Sequence, residues 1–164
     1  MSEEGPEFLC DAMLGGLARW LRAAGYDAEF VYGIEDRRLV QRGHQLGATV
    51  LSSDGRLFER NVIKHKQIEA LFVPRELTKL QQLAFVLREL KLPVKAMPRC
   101  MACGGQLLEV DKESVRQEAP PKTYAACRQF WRCGRCGKLL WQGTHWRRIT
   151  AAMESVGADR PGSS

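Results

Sequence analysis

Four of the six cysteines fall into two pairs with the same spacing, Cys100-x-x-Cys103 and Cys133-x-x-Cys136, and a glycine follows each pair. In a turn of this kind two thiolates converge on one ion while backbone N–H groups face the sulfurs, so two turns supply the tetrahedral ligand set of zinc. Four protein ligands leave no open position for a substrate, so we expect a structural zinc ion rather than a catalytic one. We call residues 100–105 the first knuckle and residues 133–138 the second knuckle.

The chain between the knuckles is long enough for a small antiparallel sheet. Strands are expected at 106–110 and 129–132, with a loop through Pro120-Pro121, which is the layout of a zinc ribbon. A module this small has little core and would depend on the metal for folding. The remaining cysteines, Cys10 and Cys127, are expected to be buried apolar residues, and no structural disulfide is expected.

Three acids in the first part of the chain occupy positions where they could hold a different metal. Asp11 ends one apolar run, Asp54 follows a second run and Ser52, and Asp36 begins a short helix. Parallel strands would bring these acids to one edge of a sheet, where carboxylates repel unless a hard divalent cation neutralises them. Mg²⁺ or Mn²⁺ at such a site suits phosphodiester hydrolysis. Taken singly, each acid could equally cap a helix or form a turn.

The elements that would position these acids alternate between strand and helix. Leu14, Leu17, Ala18 and Leu21 recur at helical spacing, and Gly25 suits the end of that helix. Further strands are expected within 26–32, 48–51 and 68–73, and further helices at 36–44, 56–63 and 76–90, with a basic loop at 64–67. This alternation predicts an α/β fold with a mostly parallel sheet covered on both faces.

The domain organisation follows from these elements. We expect an α/β domain over residues 1–92, a proline-containing linker at 93–98, the four-cysteine ribbon at 99–150 and a flexible tail at 151–164.

Charge points to a polyanionic partner for the ribbon. The net charge is +6, and most of the basic excess lies after residue 98. Cations beside aromatic rings are typical of single-stranded RNA binding, although the aromatic rings could simply fill a small core and the basic face could simply be solvated. The candidate RNA-binding residues are Arg128, Arg132, Arg135, Lys138, Trp146, Arg147 and Arg148.

The sequence contains nothing typical of a membrane protein. No apolar run approaches the roughly 20 residues of a membrane helix, and the acidic start lacks the features of a signal peptide. We therefore expect a soluble, cytoplasmic protein with no membrane partner.

Several motifs in combination resemble one family. They are the segment 11–27, the later acid Asp36, the Ser52-x-Asp54 pair, the two knuckles, and Trp141-x-Gly143-Thr144-His145. Together they are similar to the PIN-like ribonucleases with a carboxy-terminal zinc ribbon, the Mut-seven C-terminal type. The resemblance implies a PIN-like three-layer α/β/α sandwich and a metal-dependent ribonuclease site. By position, Asp11, Ser52 and Asp54 match catalytic residues of the family, and Asp36 is a looser match.

Two hypotheses from different classes remain open. The first is an Mg- or Mn-dependent ribonuclease whose ribbon contributes to RNA binding, and the second is a non-catalytic RNA-binding or ribosome-processing factor. PIN-type sites often have a fourth acid, and its absence from the recognisable motifs is what separates the two. A small-molecule phosphatase-like enzyme is a third possibility, but it would have no obvious use for a basic, aromatic ribbon.

Overall fold

The first domain is a four-stranded sheet with helices on both faces. The computed structural model describes residues 5–60 and 67–158. The first domain contains β1 (Phe8–Cys10), α1 (Gly15–Ala23), β2 (Ala28–Phe30), α2 (Asp36–Leu46), β3 (Thr49–Ser52), a 3-10 helix (Gly55–Glu59), β4 (Ala70–Phe72) and α3 (Lys79–Glu89). The alternation expected from the sequence is confirmed, and the predictions for residues 61–66 lie outside the described residues.

All four strands are parallel, in the order β2-β1-β3-β4. Phe8 of β1 lies beside Ala28 on one side and Thr49 on the other, so the strands are almost in register. Their carboxyl ends therefore share one edge of the sheet, which is where open α/β sheets bind ligands.

The sheet buries both of its faces, as parallel sheets do. Phe8 and Cys10 point into a core formed with α1 and α3, whereas Leu9 and Val50 point into a second core formed with α2. Successive side chains of a strand alternate between the two faces of the sheet, so a short apolar run in one strand contributes side chains to both cores. The predicted three-layer α/β/α sandwich is confirmed.

Helix α1 is the central element of the larger core. Leu17, Ala18 and Leu21 are fully buried, and the chain turns sharply after the helix at Gly25, whose φ is 100°. A side chain at Gly25 would be strained and would also meet the backbone of Met97. The turn therefore requires glycine.

The second module has the layout expected of a zinc ribbon. It contains β5 (Leu107–Val110), α4 (Pro121–Ala126), β6 (Phe130–Cys133) and β7 (Leu139–Trp141), and the three strands form an antiparallel sheet in the order β5-β6-β7. Two small apolar clusters form its core, one around Trp131 beside the cysteines and one around Phe130.

The end of the chain differs from the expected flexible tail. Helix α5 (Thr144–Ala158) continues well past residue 150 and packs against α3. Ile149, Met153 and Val156 are spaced by four and three residues, and all three contact the core that contains Phe8 and α1. An amphipathic helix that completes the core of the first domain thus replaces most of the tail, and residues 159–164 lie outside the described residues.

The expected linker at 93–98 also differs from a free spacer. The Tyr26 hydroxyl donates to the carbonyl of Pro93 at 2.5 Å, and the Lys95 N–H donates to the carbonyl of Ala24 at 2.9 Å. These bonds fasten the segment to the carboxyl end of α1. No helix in the described part of the chain is long and apolar enough to cross a membrane.

Candidate functional site

The four knuckle cysteines form one compact cluster. The ligand atoms of Cys100, Cys103, Cys133 and Cys136 all lie within 4.8 Å of one another. Two of the separations, Cys100 to Cys136 at 3.8 Å and Cys103 to Cys133 at 3.4 Å, are close to the roughly 3.8 Å between sulfurs that tetrahedral Zn–S bonds of about 2.3 Å require. The cluster can therefore hold one zinc ion.

Backbone groups and burial set the chemistry of these thiols. Burial raises the pKa of Cys103 to about 12. Burial also opposes ionisation of Cys133, but hydrogen bonds from the backbone N–H groups of Cys136 and Arg135 and from neighbouring thiols together lower its pKa to about 7. Because zinc binds thiolates, loading the cluster must release protons, and metal affinity will rise with pH.

Both knuckles are attached to the first domain. Arg135 of the second knuckle donates to both carboxylate oxygens of Asp27, at 3.3 and 2.9 Å, and the Asp27 side chain is 4% exposed. Buried Arg22 of α1 donates to the carbonyl of Met101 in the first knuckle at 2.8 Å. The ribbon and the sandwich are thus joined through the buried side chains of Arg22 and Asp27, and we call the joining residues the interdomain clamp (Arg22, Asp27, Met101 and Arg135).

Asp11 lies at the carboxyl end of β1, as the sequence predicts. It is 5% exposed, and its carboxylate accepts bonds from the Ser52 hydroxyl at 2.7 Å, the Ser53 N–H at 3.0 Å and the Met13 N–H at 2.8 Å. Its side chain does not cap α1, because the residue that precedes this helix is Leu14. The three donors instead hold a buried carboxylate at the sheet edge.

Ser52 connects Asp11 to the second predicted acid. Its Oγ donates to Asp11 and accepts from the Asp54 N–H at 3.0 Å. Asp54 caps the 3-10 helix through the Arg56 N–H, and this bond, together with the charges of Arg56 and Arg75, holds the pKa of Asp54 below its usual value. Asp54 is therefore ionised at neutral pH, and we call Asp11, Ser52 and Asp54 the acidic edge.

Asp36 does not join this arrangement closely. It is the first residue of α2 after β2 and is partly exposed. Among the described residues, the four cysteines are the one group of three or more metal-ligating side chains close enough to share an ion. Asp11, Asp36 and Asp54 thus do not form such a group.

The acidic edge has basic neighbours that the sequence reasoning missed. Arg75 follows β4 and donates to the carbonyl of Ser53 at 3.4 Å, and Arg56 lies 3.4 Å from Asp54. Lys79, at the start of α3, lies against Gly16 in the first turn of α1. The position of Pro74-Arg75 directly after a strand could have indicated that the Arg75 side chain lies at this edge of the sheet.

The predicted RNA-binding residues fall into two groups. Arg132 is paired with Glu118 at 2.6 Å, Arg135 is paired with Asp27, and the ring of Trp146 stacks on that of Trp131 with 5.0 Å between centroids. These three have structural contacts. The exposed cations that form no side-chain ion pair with the described residues are Arg128, Lys138, Arg147 and Arg148.

Comparison with known proteins identifies the family of this chain. The family described as the Mut7-C RNAse domain matches residues 6–153. The human protein named exonuclease mut-7 homolog is 34% identical over 114 residues, a match that covers 66% of this chain and 13% of that protein. The chain therefore spans only a small part of that relative, and no solved structure matched it. Because the family covers nearly the whole chain, the protein belongs to the Mut7-C RNase domain family.

Proposed function

We propose that this protein is a metal-dependent ribonuclease whose reaction takes place at the acidic edge. The observation that carries the proposal is the placement of Asp11, buried and oriented by Ser52 and Ser53 at the carboxyl edge of the sheet, with ionised Asp54 bonded to the same Ser52. Membership of a nuclease family supports the same class of reaction.

The residues of the edge are suited to holding Mg²⁺ or Mn²⁺. Hard cations prefer carboxylate oxygens, and Oδ2 of Asp54 accepts no hydrogen bond from the part of the chain that the structure describes. A bound ion would supply a water of lowered pKa and would neutralise charge on the attacked phosphate. Asp36 would contribute from the start of α2, as an outer ligand or through a bridging water.

The chain's own groups would orient the reactants. Ser52 and the Ser53 N–H fix the direction of the Asp11 carboxylate, so the ligand need not reorganise when the ion arrives. Arg56 and Arg75 lie beside Asp54, and their guanidinium groups suit the oxygens of a phosphate. In the ribbon, we propose that Arg128, Lys138, Arg147 and Arg148 bind RNA phosphates.

The test is cleavage of end-labelled RNA in Mn²⁺, Mg²⁺ or EDTA. We expect cleavage only with metal, and a loss of at least about 100-fold in Asp11→Asn and Asp54→Asn, because each removes a charge that holds the ion. Asp54→Asn keeps the oxygen that accepts from Arg56, so its fold should be intact. Glu89→Gln, an exposed change at the far end of α3, is the matched control. The product ladder separates exonuclease from endonuclease action.

A non-catalytic RNA-binding factor is the second candidate. The observation that favours it is that, among the described residues, Asp11, Asp36 and Asp54 do not form a group close enough to share an ion. RNA binding without cleavage in any metal would establish this alternative. Cleavage in EDTA, or at the parent rate in both Asp variants, would refute the proposed mechanism.

A further inference from the structure

A large groove lies where the first domain, the ribbon and α5 meet. Its volume is about 940 Å³, near the top of the range of roughly 300–1,000 Å³ for ligand pockets. Its walls are one face of α1, residues 94–102, the ribbon residues 138–143, and α5 as far as Glu154. The groove is therefore built by both modules and exists only when they are assembled.

The charged residues that line the groove are almost all cationic. Glu154 is the one acid among its described lining residues, against the cations Arg19, Lys95, Arg99, Lys138 and Arg147. Lys95 and Arg99 have acidic partners in Glu7 and Asp27, but the other three are exposed and form no ion pair with the described residues. Unneutralised charge of one sign attracts a polyanion.

Apolar and aromatic side chains also line the groove, among them Trp141, Trp146, Met97 and Ile149. Phosphates that contact the cations place the bases of a single strand near these side chains, where the bases can stack on the rings. The bases of a duplex are already paired and could not insert in this way. The combination favours single-stranded nucleic acid over a double helix.

The groove leads toward the acidic edge along one face of α1. Arg19 and Ala23 line the groove, and Gly16 shares their face because the three residues are spaced by three and four. Lys79 covers Gly16, where an added Cβ would overlap its side chain and lie 3.0 Å from its ammonium nitrogen. Two cations, Arg19 and Lys79, thus lie on the face of α1 between the groove and the start of the helix, which follows Asp11 in the chain.

We propose that this groove binds single-stranded RNA and directs it along α1 to the acidic edge. The delivery step rests on the proposed nuclease function, whereas binding in the groove does not. This separation allows the two proposals to be tested independently.

The main experiment places a negative charge inside or outside the groove on the same helix. Thr150 lines the groove and Ser155 does not, yet both are exposed and both donate to a carbonyl of their own helix. Binding is measured in EDTA by fluorescence anisotropy of a labelled single-stranded RNA of about 12 nucleotides. We expect Thr150→Glu to weaken binding by roughly tenfold and Ser155→Glu to change it by less than about twofold. Thr150→Gln controls for size.

A second experiment counts phosphate contacts. Replacing Arg19 and Arg147 by Gln should lower the slope of log K against log salt by about 1.4, since each single-strand contact contributes roughly 0.7. Replacing Arg37 and Arg38 by Gln removes the same number of charges from the exposed face of α2 on the other side of the sheet and should leave the slope unchanged.

The outcomes separate the groove from the nuclease. Binding that is lost in Thr150→Glu, in a protein that never cleaves RNA, would support the groove and refute the nuclease. Equal RNA binding by Thr150→Glu and Ser155→Glu would overturn the groove proposal, whatever the cleavage assay shows. Displacement of the strand by an equal concentration of a blunt RNA duplex would also overturn it. So would binding of poly-L-glutamate without binding of RNA, which would assign the groove to an acidic protein.

Discussion

The cysteine cluster and the acidic edge are both candidate metal sites, but they are assembled in different ways. Each knuckle supplies two ligands from a single turn, and antiparallel pairing of β5 with β6 brings the two turns together. The acids come from three separate strand-to-helix connections, and only Asp11 and Asp54 are linked, through Ser52. A single turn fixes the positions of its two ligands. The shared edge of a parallel sheet brings acids into one region without fixing the distances between them.

The two sites also differ in what holds them in place. The cluster is anchored to the first domain by the interdomain clamp. Disruption of the cluster should therefore destabilise the first domain as well as the ribbon. The acidic edge is anchored by hydrogen bonds within the first domain. Substitutions at the cluster should therefore affect stability most, and substitutions at the edge should affect metal binding most.

The largest expected effect comes from opening the cluster. Cys103→Ser removes one of four ligands, and structural zinc in small modules is worth roughly 10–16 kcal/mol, so we expect a loss of more than about 5 kcal/mol in the free energy of unfolding. Because α5 completes the core of the first domain, both modules should lose stability together. Calorimetry and zinc analysis measure the two effects.

Cys127→Ser is the matched control, since Cys127 lies in the ribbon but outside the cluster. It should retain zinc and melt close to the parent. A Cys103→Ser protein whose first domain melts as in the parent would mean that the two modules are energetically independent.

A smaller loss is expected from breaking the clamp. Asp27→Asn removes the charge that faces Arg135 and Arg99 in a buried position, which should cost about 2 kcal/mol while the zinc stays bound. Glu118→Gln breaks the exposed pair with Arg132 and should leave the melting temperature nearly unchanged. Equal effects of the two changes in thermal denaturation would contradict a role for the clamp.

At the acidic edge, Ser52→Ala tests whether Ser52 orients the Asp11 carboxylate, separately from its contribution to folding stability. It removes the hydroxyl that bonds both Asp11 and the Asp54 N–H, at a cost of about 1–2 kcal/mol. Ser53→Ala also deletes a buried hydroxyl, which donates to the carbonyl of Val73, but it leaves the bonds of Asp11 intact. Calorimetric titration with Mn²⁺ should show weaker binding in Ser52→Ala alone. If the two variants bind Mn²⁺ equally well, Ser52 does not orient the ligand.

Asp36→Asn should have the smallest effect. Asp36 lies in the first turn of α2, where a negative charge is worth about 0.5 kcal/mol, and it does not form with Asp11 and Asp54 a group of described side chains that could share an ion. We expect Mn²⁺ affinity to fall by less than about threefold. A loss of Mn²⁺ affinity as large as that in Asp11→Asn would show that the three acids come together when the ion binds. The acidic edge would then resemble the cysteine cluster, in which all the ligands can contact one ion.

Most of the correct predictions from the sequence depend on local patterns of residue type and spacing. The helix expected at 76–90 is α3 at Lys79–Glu89, and the four ligands are those of the Cys-x-x-Cys pairs. Such features depend on neighbours a few residues away. The carboxyl-edge positions of Asp11 and Asp54 were also predictable, because parallel topology follows from alternating strands and helices.

The features that escaped prediction depend on distant contacts. Asp27 reads as an ordinary acid before a strand, and its partner Arg135 is 108 residues away. The positions of Ile149, Met153 and Val156 fit one face of a helix and could have revealed α5. That this helix packs on the first domain, so that a groove forms beside it, depends on tertiary packing that no local pattern encodes.

The packing of α5 has a consequence for the order of events during synthesis. Met153 and Val156 cover apolar surface on α1 and α3, which are complete by residue 89. At a translation rate of about 5–20 residues per second, roughly 3–14 seconds pass before the covering helix leaves the ribosome. During that interval the nascent sandwich would expose an apolar face, and we expect chaperones to bind it until α5 docks.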